Sequence, residues 1–256
     1  FFFKQKTAYE IKECDWSSDV CSSDLYGEIG SSLAKVYFES SNYEVVVLDP
    51  YLEKNDDLSG CEFLNICIPF IDNFIEVVQN YIDTFSPKCT IIHSTVAPGT
   101  TSKIKGNVCH SPVRGLHPNL DLGIKTFLKY IGSDDPEVGS LYQNHLSELG
   151  IKSYICKNSK TTEYSKLLDT TYYGLCIGFH ADVMNLCENE KIDFDEVMTL
   201  YNQTYNEGYS QLEKSNFVRP VLYGTKKIGG HCVVPNAKIL KDYFDSETID
   251  LILKYE

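Results

Sequence analysis

Gly27 and Gly30, in Tyr26-Gly27-Glu28-Ile29-Gly30, open a helical pattern that puts Ile29, Leu33, Val36 and Tyr37 on one face. Tyr43-Glu-Val-Val-Val-Leu-Asp49 then reads as a buried parallel strand ending in a carboxylate. Glycines ahead of a helix let backbone approach a phosphate closely, and an acid about 20 residues on accepts ribose hydroxyls. The two glycines alone serve equally well as a turn; the strand and Asp49 turn them into most of a dinucleotide fingerprint. An acid at Asp49 repels a 2′-phosphate, which selects NAD over NADP.

Leu25 stands where the first glycine of that fingerprint belongs. Residues 1–25, FFFKQKTAYEIKECDWSSDVCSSDL, have neither helical nor strand periodicity, and they resemble a translated sequencing adapter fused to a gene fragment. No apolar core or small-residue cleavage site makes them a signal peptide. They are set aside here as an artefact, and the first strand is expected to be missing or replaced.

The 256 residues carry a formal charge of −13. That balance argues against nucleic acid or an anionic membrane as the main partner, and no apolar run approaches a membrane span. The eight cysteines beyond residue 25 show neither CxxC nor zinc spacing. They predict thiols in a reducing cytoplasm and no metal site.

Strand-helix units continue along the chain. Glu62 to Ile68 reads as a strand ending at Pro69, with Asp72 capping a helix that carries Phe74, Val77, Val78, Tyr81 and Ile82. Thr90 to Ser94 is the next strand and runs into Thr95-Val-Ala-Pro98-Gly99. In an open parallel sheet ligands collect beyond the carboxyl ends of strands, so Pro69, Ser94 and Thr95 should border the cofactor; Thr95 serves equally as a helix cap. Val108 to His110 leads into a loop with Arg114, His117 and Asn119, which can hold an anionic or hydroxylated substrate or stand solvated. A strand at 127–131, a helix at 136–149 and a strand at 152–156 complete an α/β domain over residues 26–158.

Residues 159–256 change to long helices. Between 162 and 189, Leu167, Leu168, Tyr172, Leu175, Phe179 and Leu186 form a stripe too wide for one solvated face, predicting burial by the chain or by a partner. Lys166 and Thr170 lie one turn apart on this helix, and a second helix is expected from about 193 to 212. Ile228-Gly229-Gly230-His231-Cys232-Val-Val-Pro235-Asn236 closes the pattern. Two glycines give room for a substrate, Pro235 fixes the turn that leaves the site, and Lys226 and Lys227 favour a thiolate at Cys232. A cysteine by itself is more often a small buried hydrophobe.

A nucleotide-binding start, STVAPGTT after a strand, an SPVRG loop, an ExxK on a long helix and finally GGHC resemble, in that order, the UDP-glucose and GDP-mannose 6-dehydrogenases over residues 26 to about 240. The resemblance implies a Rossmann-like doubly wound parallel sheet followed by an α-helical dimerisation domain. It implies an enzyme that oxidises a nucleotide sugar's C6 alcohol with two NAD, through a thiohemiacetal and then a thioester on cysteine. Cys232 would be the nucleophile, Lys166 the cation facing developing oxyanion charge, and Thr95 would position substrate and water. Gly27, Gly30, Asp49, Pro69 and Ser94 would hold NAD, and Arg114, His117, Asn119, Thr170, Gly229, Gly230 and Asn236 would line the substrate. Three residues depart from the family pattern: Val113 replaces a carboxylate, Thr170 an asparagine and Asn236 an aspartate; the sequence stops before the family's third, C-terminal domain, which reads either as a compact relative with a different or smaller substrate or as a truncated one. Two other readings stay open, a two-electron hydroxyacid or alcohol dehydrogenase of the same wider fold, and a non-catalytic NAD-binding dimerisation protein.

Overall fold

Adjacent residues of each central strand point into different cores, as a sheet covered on both faces requires. Val47, Phe63, Ile91 and Cys109 belong to one buried cluster with Leu33, Tyr37, Val138 and Tyr142. Val46, Leu64, Ile66, Ile92 and Val108 belong to the other, with Phe74, Val78 and Ile104. Each large apolar side chain so buried contributes about 1.5–3 kcal/mol. The computed structural model describes residues 5–10, 28–40, 43–49, 52–115, 119–214, 216–229 and 232–256. Gly27, His117, Gly230 and His231, all singled out by the sequence, lie outside them.

The elements follow as β1 (Gln5–Glu10), α1 (Glu28–Phe38), β2 (Tyr43–Asp49), β3 (Lys54–Asn55), β4 (Phe63–Ile66), α2 (Phe74–Phe85), β5 (Cys89–Ile92) and β6 (Val108–His110). Then come α3 (Leu120–Thr126), β7 (Lys129–Gly132), α4 (Pro136–Glu148), β8 (Ser153–Cys156) and α5 (Ser159–Glu190). Among the described residues one sheet has the order β3-β2-β1-β4-β5-β6-β7-β8. The pairs β1–β2, β1–β4, β4–β5 and β5–β6 are parallel, and β6–β7 is antiparallel. The chain winds outward from β1 in both directions, so the order reverses between β1 and β4, which is where such sheets open a ligand crevice. Gln5–Glu10 fills the first-strand slot that the sequence left missing or replaced.

Several boundaries differ from expectation. Asn73, not Asp72, precedes α2, and its side chain makes no cap bond. The stretch ahead of β7 is the helix α3 rather than loop; Gly123 permits it, because a Cβ there would lie 2.6 Å from the Gly115 Cα. Asp135 caps α4 by accepting from the Glu137 amide at 2.8 Å, with Pro136 in the first turn.

The chain divides into two compact units, Phe1–Lys166 and Leu167–Glu256, with the division inside α5. The second unit adds a π-helical turn (Asp195–Thr199), α6 (Leu200–Gln211), α7 (Val233–Lys241) and α8 (Glu247–Lys254). Gly174 on α5 allows a close approach there: any side chain would strike Val233 of α7 and Ile252 of α8. Thr199, Asn202 and Asn206 hold an extended segment along α6, donating to the carbonyls of Leu222 at 3.3 Å, Pro220 at 3.2 Å and Arg219 at 2.8 Å. Among the described residues the α5 stripe is covered only in part: Leu167 is fully buried, whereas Leu168, Tyr172, Phe179 and Leu186 are exposed.

Candidate active site

The carboxyl ends of β2, β4, β5 and β6 deliver Asp49, Pro69, Ser94 and the Ser111-Pro112-Val113 turn. Asp49 is fully buried and accepts from the Leu52 amide at 3.2 Å. Gly30 is buried in the first turn of α1. Ser94 donates its hydroxyl to the Ile68 carbonyl at 2.5 Å, fastening the β4 and β5 ends together just before Pro69. Thr95 is half-buried at the start of the turn that follows.

Glu163 fastens that turn, a role the ExxK pattern alone did not assign. Its carboxylate, wholly buried, accepts from the amides of Gly99 at 2.5 Å and Thr101 at 2.8 Å, and from the Thr101 hydroxyl at 2.7 Å. Removing it would leave the half-buried Gly99 amide and the buried Thr101 amide without this acceptor, the latter costing about 1–3 kcal/mol. Thr162 beside it fixes a histidine. His110 Nε2 lies 3.1 Å from the Ser94 carbonyl, which can only accept, so Nε2 carries the proton and Nδ1 accepts from the Thr162 hydroxyl at 2.8 Å. Burial lowers His110 to about 3, which keeps it neutral.

Lys166, one turn further along α5, donates to the Val113 carbonyl at 3.0 Å. The structure thus joins the expected catalytic cation to the loop position where the family carboxylate is replaced. Sequence reasoning missed a second lysine at the same turn. Lys129 Nζ stands 2.7 Å from the Ser111 carbonyl, 3.2 Å from that of Pro112 and 3.3 Å from His93 Nδ1. Burial pulls Lys129 down to about 7 and pushes the nearby Cys67 thiol up to about 12.

In the second unit Cys232 is half-buried and occupies the N-cap of α7, its carbonyl accepting from the Asn236 amide at 3.1 Å. Pro235 lies in the first turn of that helix, where its missing N–H costs nothing, and does not fix a departing turn. Asn236 donates its side-chain amide to the Thr170 hydroxyl at 3.1 Å, so two of the three departures from the family pattern meet as one neutral pair.

The remaining expected residues have their own surroundings. The Arg114 guanidinium lies over the Phe127 and Tyr130 rings, 5.6 Å from each centroid. Asn119 is exposed ahead of α3. A side chain at Gly229 would meet no atom within 4 Å, so the chain itself does not demand glycine there. Lys226, expected to favour a thiolate, is held by Glu188 at 2.7 Å. A cleft of about 480 Å³ bordered by Met184, Cys187, Phe194 and Tyr223 includes none of the predicted site residues.

No family model and no curated protein matches the sequence. Solved structures do. The chain is similar to the UDP-D-ManNAc dehydrogenase of Pyrococcus horikoshii, at 17% identity and a TM-score of 0.74, over 98% of this chain and 68% of that one. The chain shares the fold of that protein. It is similar also to a UDP-glucose dehydrogenase of the hyperthermophilic archaeon Pyrobaculum islandicum (13% identity, TM-score 0.69, 99% of this chain and 68% of that one). The same fold is shared with the Mycobacterium tuberculosis 3-hydroxyisobutyrate dehydrogenase, at 10% identity and TM-score 0.64. That match covers 99% of this chain and 94% of the other. The chain therefore spans about two thirds of the sugar dehydrogenases and nearly all of the hydroxyisobutyrate enzyme.

Proposed function

We propose that the chain is an NAD-dependent oxidoreductase of CH–OH donors, of the nucleotide-sugar 6-dehydrogenase kind, acting through a cysteine-bound intermediate. The observation that carries this reading is Cys232 at the N-cap of α7, half-buried, with Asn236 one turn on bound to Thr170. A helix N-terminus carries partial positive charge and favours an anionic sulfur. Asp49 at the end of β2, Gly30 at the start of α1 and the Pro69 and Ser94 strand ends suit NAD, and the same reading assigns Gly27 to it. Residues 1–25 are in this reading translated adapter standing in for a native first strand.

Bound NAD would supply the hydride acceptor for each of two oxidations. This chain's residues do the rest. The alcohol gives up a hydride and its hydroxyl proton to become an aldehyde; the Cys232 thiolate adds to the carbonyl carbon, and the oxygen takes a proton to give a thiohemiacetal. Loss of a second hydride and that proton leaves a thioester, and water releases the carboxylate. The Lys166 ammonium faces the oxygen wherever it becomes negative, and Thr95 orients substrate and water. Arg114, His117, Asn119, Gly229 and Gly230 hold the sugar nucleotide. Val113 and the neutral Thr170–Asn236 pair provide no base to activate water, so thioester hydrolysis is the slow step. A panel of nucleotide sugars incubated with enzyme and NAD should give a burst of NADH, with a mass adduct mapped to Cys232.

The coverage of nearly the whole 3-hydroxyisobutyrate dehydrogenase favours a second reading, a two-electron hydroxyacid dehydrogenase that needs Lys166 and not Cys232. One NADH per hydroxyacid with no adduct establishes that reading, and NAD binding without turnover of either class leaves a non-catalytic protein. The exposed α5 face of Tyr172, Phe179 and Leu186 supports a homodimer. Sedimentation should give twice the chain mass at micromolar concentration; a monomer removes the claim. A cytoplasmic location is part of the same reading, and no helix among the described residues is long and apolar enough to cross a membrane.

A further inference from the structure

Two lysines converge on one short stretch of backbone. Lys129, 4% exposed at the start of β7, holds the carbonyls of Ser111 and Pro112, and Lys166 from α5 holds the next one, that of Val113. The mechanism above does not use Lys129. We propose that Lys129 is a positioning residue for Lys166, its proton deciding how the Ser111-Pro112-Val113 turn is held and what charge Lys166 faces. The catalytic consequence rests on the reading that gives Lys166 its role; the coupling between the two lysines does not.

The hydrogen bonds show how this works. A protonated Lys129 has three N–H groups and three acceptors, the Ser111 and Pro112 carbonyls and His93 Nδ1. With Nδ1 accepting, His93 donates from Nε2 to Asn65 Oδ1 at 2.9 Å. His93 itself is kept neutral by burial, which holds it well below the usual histidine range. When Lys129 loses its proton, one of these donors disappears. His93 can then take its other tautomer, with Nδ1–H donating to the Ser111 carbonyl at 2.9 Å and Nε2 accepting from a turned-over Asn65 amide. The donor lost is the one to His93 Nδ1; two N–H groups of Lys129 remain for the two carbonyls, the Ser111 carbonyl gains the His93 N–H, and a positive charge leaves the surroundings of Lys166.

The groups facing Lys129 come from four elements: Cys67 after β4, His93 after β5, Cys109 and His110 in β6, and Lys166 on α5. None is a carboxylate. Burial is the main cause of its lowering to about 7, and the positive charge of Lys166 adds to it. Such coupling is mutual, so each lysine must register the other's proton.

The test is a pH titration of protein carrying lysine labelled with ¹³C at Cε, followed by NMR, with Lys129→Met and Lys166→Met assigning the two signals. The Lys129 signal should move with a midpoint near 7, and the Lys166 signal should show a step at the same midpoint that vanishes in Lys129→Met. Lys166→Met should raise the Lys129 midpoint by about half a unit or more. A Lys129 midpoint above about 9, or a flat Lys166 signal while Lys129 titrates, overturns the proposal. Should Lys129→Met fail to fold, unsubstituted protein and Lys166→Met decide the matter alone. No turnover is read, so the result stands apart from whether any nucleotide sugar is a substrate.

Discussion

Replacing Cys232 with serine should reduce NADH production to at most one per sugar and lower turnover by about 10³-fold or more. Sulfur is a nucleophile near neutral pH because its thiolate is accessible there, whereas a serine hydroxyl at the same place needs a general base. Among the described residues Asn236, one turn on, is neutral and bonded to the equally neutral Thr170. The exchange should leave the fold intact, since the side chain is half-buried at a helix N-cap and serine is a favoured residue there. Circular dichroism should therefore show unchanged melting beside the lost activity. A serine variant that still releases two NADH per sugar at the parent rate would remove Cys232 from the mechanism.

The second large effect concerns stability against pH. Lys129 has its proton affinity lowered from 10.5 to about 7 by burial, so between those values the unfolded chain binds a proton that the folded chain does not. Stability contributed by this group therefore rises with pH. The burden of a buried charge is fully present below pH 7 and is relieved as pH climbs towards 10.5. Urea unfolding of the parent and Lys129→Met, compared at each pH, should show the parent gaining about 3–4 kcal/mol on the variant between roughly pH 7 and 10. Comparing the two cancels the tyrosines and cysteines that also titrate there. The Met variant leaves the Ser111 and Pro112 carbonyls without their donor, which offsets part of its advantage at low pH but does not alter the slope. A difference independent of pH would mean that Lys129 is not buried with a lowered proton affinity.

How much of this could be read from the sequence varies with the physics. The apolar run 43–49 matches its strand to the residue, and the helix expected at 136–149 is found at Pro136–Glu148, because hydrophobic period and proline's place in a first turn are local. The helix α3 was invisible: it is short, contains a glycine, and exists because Gly115 and Gly123 can touch. The expected helix from 193 begins instead as a π-helical turn at Asp195–Thr199, whose spacing a 3.6-residue pattern cannot report. Among proposed site residues, Lys166 and Cys232 were singled out by their order along the chain. Glu163 and Lys129 drew no assignment, since their partners are 62 and 18 residues away in sequence and a charged residue in a strand normally reads as solvent-facing. Lys226 misled in the opposite way, near Cys232 in sequence but bound to Glu188.

The extended segment alongside α6 has an evolutionary corollary. Thr199, Asn202 and Asn206 grip its carbonyls, and Asn206 also receives the Arg219 amide at 2.8 Å, so these hydrogen bonds reach only its backbone, while the Arg219 guanidinium lies 3.6 Å from the Tyr205 ring centroid. Every residue type offers the same carbonyl, and proline at 220 lacks only an amide that no bond in this ladder calls upon. Arg219 apart, whose side chain is tied to Tyr205, the hydrogen bonds fix the path of residues 220–222 without restricting what those positions display. Substitutions can accumulate on that outward surface while the three polar residues beneath it stay the same, which lets recognition there drift independently of the fold.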